Sequence, residues 1–201
     1  MWLRLLAETG TYRSDQLPPS TGTLIGGAGI AGGGMSLRGR LWQQAPSGAA
    51  PGSTGSDVIV ALATVPASAF DVAGRTLDIS AIGSCANNGN SKTMKIIVNP
   101  TSPEVGSAVS GGTTIASTGA LSTNNAGWSL SASIVKTGGA GSNTQSVVQS
   151  AGQAGSAALA LANPQSLTLT ESAAITVAVT IDCATTASDA ALWQFRGEWA
   201  N

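Results

Sequence analysis

From Asp57 onward the chain is written largely in period two. In Arg75–Gly83, Leu77, Ile79 and Ala81 alternate with Thr76, Asp78 and Ser80. Lys92–Asn99 alternates around Met94, Ile96 and Val98. Trp128, Leu130, Ala132 and Ile134 face one way, Ser129, Ser131 and Ser133 the other. Ile175, Val177, Val179 and Ile181 repeat the pattern, and Trp193, Phe195 and Trp199 oppose Gln194, Arg196 and Glu198. Successive side chains of a strand point to opposite faces, so this alternation predicts strands buried on one side. Asp57–Val65 is an apolar run, and Thr113–Ser117, Thr144–Ser150 and Ser166–Thr170 are shorter candidates. Ala151–Ala162 invites a helix, but its early glycine and polar breaks and Pro164 argue against one.

Turn residues separate these runs: Val72-Ala73-Gly74, Asn87-Asn88-Gly89-Asn90, Asn124-Asn125-Ala126-Gly127 and Gly138-Gly139-Ala140-Gly141. Asn and Gly supply the positive φ that tight turns need. The expectation is an all-β, jelly-roll-like antiparallel sandwich over residues 56–201. Residues 1–55 read differently. They hold Pro18-Pro19, the tract Gly26–Gly34 and the tract Ala45–Gly55, with one strand candidate between the tracts, Ser36–Gln44. Glycine resists ordering and proline cannot join an interior ladder, so this third reads as an extended N-terminal arm.

Composition narrows the function. Only 9% of residues are charged, against roughly 25% in ordinary soluble domains. Nine scattered basic residues and a net charge of −1 argue against nucleic acid, which demands clustered cations. The chain has no histidine, and so lacks the commonest general base and metal ligand. No window approaches a membrane span of ~18 apolar residues. The apolar stretch Trp2–Ala7 is too short for an export signal and is broken by Arg4, so folding in the cytoplasm is expected. Cys85 and Cys183 end apolar runs and read as buried, reduced hydrophobes. The polar strand faces carry Ser, Thr and Ala, which offer little protection against association, so a homo-oligomer is expected.

Three motif matches carry no chemistry. Gly27–Gly32 fits G-x-G-x-x-G, but no crossover helix follows. Ser133–Lys136 fits S-x-x-K and Lys136–Gly138 fits K-T-G, yet the two share one lysine at a strand end. The acid pairs Asp71/Asp78 and Asp182/Asp189 sit near strand ends, where Asp commonly bonds turn backbone. No catalytic, cofactor or metal residues are therefore assigned, and no enzyme is expected. Trp128, Trp193 and Trp199 fall on apolar faces and read as core. In the arm, Trp2, Leu3, Leu5, Tyr12, Leu41 and Trp42 are the candidate partner contacts, since aromatic and apolar residues there suit interface anchors.

The central segment carries a resemblance. Leu77–Gly83, the turn Ala86–Asn90 with Lys92, Ile115–Gly119 and Asn124–Ala132 together resemble tailed-bacteriophage virion proteins with a jelly-roll domain, over residues 55–200. The resemblance implies a particle component, commonly trimeric, assembled in the host cytoplasm and housed in the virion. Two placements follow from it. One is a capsid decoration (cement) protein that clamps the major capsid protein. The other is a tail or head fibre or adaptor protein whose sandwich binds a receptor or host-surface glycan. A short arm without heptads or triple-helix repeats favours decoration.

Overall fold

The structure is a computed structural model, and it describes residues 39–122, 126–155, 157–159 and 165–200. The chain divides into two units between Met35 and Ser36, and every described residue belongs to the second. Eleven strands are described: β1 (Gly39–Gln44), β2 (Val58–Val65), β3 (Thr76–Cys85), β4 (Lys92–Val98), β5 (Thr113–Ser117), β6 (Gly127–Lys136), β7 (Gln145–Ala154), β8 (Ala157–Leu159), β9 (Gln165–Leu167), β10 (Ile175–Cys183) and β11 (Ala190–Ala200). Among the described residues one 3-10 turn, Ala187–Asp189, precedes β11.

Among the described residues all strand pairings are antiparallel and form two sheets. The larger runs β1-β11-β3-β6-β7-β8, with β9 beside β7; the smaller runs β2-β10-β4-β5. Without β7 to β9 the order is four strands over four, β1-β11-β3-β6 against β2-β10-β4-β5, with the chain repeatedly crossing between sheets. That is jelly-roll connectivity. Strands β7 to β9 are an insertion that widens the larger sheet beyond β6.

The core lies between the sheets, where the alternating residues meet. Leu77, Ile79, Leu130 and Ile134 from the larger sheet face Met94, Ile96, Val177 and Val179 from the smaller. The smaller sheet is also buried on its other face, at Ile59, Ile97, Ala178 and Thr180. Residues 99–112 explain this. They leave β4 beside Val177 and pair with β2 at its far end, through Ser107 and Gly106 on Ile59 and Val109 on Asp57. To make that journey they cross β10 on its outer side. They also occupy the free edge of β2 at Val58 and Ala108.

Two expectations are corrected. First, the boundary drawn at residue 55 cuts through the jelly roll. Strand β1 pairs with β11 along Gly39–Gln44, and its Leu41 and Trp42 pack on the chain's own core. Trp42 lies 5.3 Å from the Phe195 ring, in space left by Gly197. An edge strand with an apolar side is satisfied most readily by the nearest open sheet edge, which its own β11 supplies. Second, Trp193 is not core. A bulge between Leu192 and Gln194 shifts the phase of β11, so Leu192 and Phe195 both point inward and Trp193 turns out, 52% exposed. Trp128 is buried, and Trp199 packs edge-on to Phe70 at 5.0 Å.

Candidate functional site

Two lysines occupy the inward phase of their strands. Lys92 opens β4 in step with Met94 and Ile96, and Lys136 closes β6 in step with Ile134. Both are buried. A buried ammonium is tolerated only when paired and hydrogen-bonded, and each of these is enclosed by its own set of acceptors. Lys92, on the smaller sheet, lies by the Cys85 end of β3, where Ala86 bonds Asp189, and Lys136 lies by its Thr76 end, where it bonds Arg75, so the two stand at opposite ends of the sandwich.

At one end, the Asn87–Asn90 turn folds over Lys92. The Lys92 Nζ donates to the Asn88 carbonyl at 2.9 Å, to Asn88 Oδ1 at 3.1 Å and to the Asn90 carbonyl at 2.8 Å. The amides of the same asparagines donate to buried Asp189, Asn88 Nδ2 at 2.6 Å and Asn90 Nδ2 at 2.8 Å. Burial pushes the Asp189 carboxyl up, but donation by Asn90 and Asn88 and the nearby Lys92 charge prevail and hold it below the usual carboxylate range. The asparagines thus act beyond turn geometry: they join a buried cation to a buried anion.

At the other end, Lys136 meets Glu171 in a buried ion pair and donates to Ser142 Oγ at 2.7 Å. Glu171 also accepts from Gln145 Nε2 and from the Gly141 N–H at 2.9 Å. Gln145 in turn accepts from the Leu169 N–H at 2.8 Å. Burial raises the Glu171 carboxyl, and the Lys136, Gly141 and Gln145 contacts together outweigh it, so the group titrates below its ordinary value. Both oxygens of Glu171 and both of Asp189 take donors from within the chain. These networks clamp loops; they do not present a carboxylate to a substrate.

The outer face of the larger sheet is different in kind. Register sets Arg40, Glu198, Asp78, Ser133 and Gln149 in one row across five strands. The next row is Gln43, Arg196, Ser80, Ser131 and Ala151. A shallow groove of about 270 Å³ runs here, lined by Asp78, Ser80, Ser133, Gln149, Arg196 and Glu198 among others. Ser133 Oγ donates to Asp78 Oδ1 at 2.6 Å, and Arg196 lies 3.7 Å from Glu198. Trp193 stands on the same face, its Nε1 donating to Ser84 Oγ at 2.8 Å.

Of the residues singled out from sequence, Leu41 and Trp42 are engaged within the sandwich, and Trp2, Leu3, Leu5 and Tyr12 lie outside the described residues, as does Gly27–Gly32. Ser133 and Lys136 sit on opposite faces of β6, so the S-x-x-K match assembles nothing. Asp71 pairs with Arg75, and Asp189 sits in its buried network. Cys85 and Cys183 are buried and unbridged, and burial raises both thiols. Among the described residues no three of His, Cys, Asp or Glu gather as a metal site would need. Sequence reasoning met Lys136 only in the rejected motif matches and Lys92 only in the resemblance, and missed that both are buried; a charged residue in the apolar phase of an alternating strand was the signal that could have shown it.

A scan against protein-family models finds no matching family, and searches of curated proteins and of solved structures likewise find no match.

Proposed function

We propose that the protein is a structural component of a tailed-bacteriophage virion, a capsid decoration protein that self-associates, as a homotrimer, and holds the major capsid protein through its N-terminal segment. The observation that supports this is the complete jelly roll within residues 39–200. In the sequence, Trp2, Leu3, Leu5 and Tyr12 precede the first of its strands. A jelly-roll knob preceded in sequence by an apolar-bearing segment suits a clamp: the knob associates and the segment grips. Segments of this kind draw affinity from main-chain pairing and specificity from side-chain pockets, and several on one oligomer add avidity. The sequence resemblance points the same way, and its Asn88, Asn90 and Lys92 form one of the networks that stiffen the knob.

The test is a deletion of residues 1–35, which spares β1, assayed by co-sedimentation with purified capsids of the phage that encodes the protein. The expected result is full binding by the intact chain, in copy numbers matching the capsid lattice, and loss of binding by the truncated knob. Unchanged binding by the knob would overturn the N-terminal grip. Failure of the intact chain to bind capsids would overturn decoration and leave the tail or fibre placement.

A further inference from the structure

We propose that the outer face of the larger sheet binds a neutral oligosaccharide, with the Trp193 indole as platform and the Arg196, Asp78 and Glu198 side chains as partners for hydroxyl groups. The inference stands apart from the capsid reading, since decoration and fibre proteins alike can carry such a site; self-association would then use other surfaces.

Trp193 is presented, not merely left out. The β11 bulge turns it away from the core, Ser84 fixes its N–H, and the chain at Gly48 lies beside the ring, where a Cβ would come within 3.3 Å. Its polar atom is satisfied within the chain, so what remains for a ligand is flat apolar surface. A sugar ring offers the complement, a face of C–H groups rimmed by hydroxyls. Sites of that type combine an aromatic surface with a few placed polar groups. The polar groups are at hand. Arg196 follows Trp193 by three residues and Glu198 by five, about 8 Å and about 15 Å along the strand once the bulge is counted. That span suits an oligosaccharide. On the groove wall, Ser80 Oγ is buried without a hydrogen-bond partner.

Charge and topology select this occupant. Asp78 and Glu198 are offset by Arg196 and by Arg40 in register with Glu198, so the face favours neither a polyanion nor a polycation. Strands β11, β3 and β6 are paired on both sides, which leaves no backbone edge for a peptide to extend. The described large apolar residues exposed near the groove are Trp193 and Ile82, with Val148 on β7. That is less than the contiguous apolar centre of a lasting protein interface.

The full-length protein is applied to a printed array of maltohexaose, cellohexaose, chitohexaose, mannohexaose and galactan fragments beside sulfated and uronate oligomers. Hits are titrated while the tryptophan Nε1–H signals are followed by NMR. The expected result is binding to at least one neutral oligomer, a shift of the Trp193 signal, and affinity at least about tenfold weaker in Trp193→Ala. Arg196→Ala, which leaves the bulge intact, weakens it as well, with circular dichroism unchanged in both variants. Binding to no oligomer, binding only to charged ones, or parental affinity in both variants would overturn the proposal. So would a fall in oligomeric mass on Trp193→Ala, which would make this face a contact between copies. None of these outcomes bears on capsid co-sedimentation, so the two readings fail separately.

Discussion

Gly83 shows how closely single positions are specified. It lies at an inward position of β3, and a Cβ there would overlap the Ala191 carbonyl and the Trp128 indole. Both are held in place, one by the ladder and one by the core. Gly83→Ala is therefore expected to destabilise by about 1–3 kcal/mol or more, read as a lower urea midpoint at unchanged slope. The buried carboxylates give a second residue-scale expectation. Asp189 and Glu171 titrate below their ordinary values in the folded chain, so their stabilisation is present above the unfolded carboxylate range and is lost as pH falls through the folded values. Urea stability should be flat near neutrality and fall on acidification below about pH 4. Glu171→Gln should cost at least ~2 kcal/mol at pH 7, because Lys136 is left buried without its counter-charge, and should shallow the acid limb. The two thiols, raised by burial, should react with Ellman's reagent only when denaturant opens the fold.

Among the elements, β1 and β11 carry most of what pattern alone left hidden. Period two located nearly every strand, since one-sided burial forces alternation whatever the partner. It could not say that β1 pairs with β11, because pairing is a relation between distant segments. Nor could it place Trp193 on the surface. One inserted residue in a ladder reverses every side chain beyond it, and the sole trace in the sequence is the spacing of three between Leu192 and Phe195. The consequence for β1 is testable. Deletion of residues 1–35 should leave the thermal midpoint of the knob nearly unchanged. Deletion of residues 1–44 removes the strand that covers the β11 edge and the Trp42 ring over Gly197, and should lower the midpoint by several degrees or promote aggregation through the exposed edge.

In the molecule as a whole, the two sheets are finished differently. The smaller one is covered on its outer side by residues 99–112, while the outer face of the larger is polar and lined by Ser, Gln and a few balanced charges. The buried networks tie the loops at both ends of the sandwich to its strands. With only 9% charged residues, association has few charges to desolvate and little electrostatic dependence. If the knobs assemble as proposed, light scattering should give a mass near three chains that holds between 50 mM and 500 mM salt, within the roughly tenfold range where exposed ion pairs would weaken. A single-chain mass at all concentrations would sink the trimer.

By itself the sequence determined that the chain is a β-sandwich and which residues of its alternating strands line most of the interior. Alternation, turn residues and burial are local consequences of strand geometry and can be read one segment at a time. Tertiary structure decided what depends on register between distant strands. It made β1 part of the jelly roll, and it closed Lys92 with Asp189 and Lys136 with Glu171. It also laid residues 99–112 over one sheet and brought Trp193, Arg196 and Asp78 to the open face of the other. Long-range pairing selects the partners that stand tens of residues apart, Asp189 for Lys92, Glu171 for Lys136 and Asp78 for Arg196, because no local rule couples them.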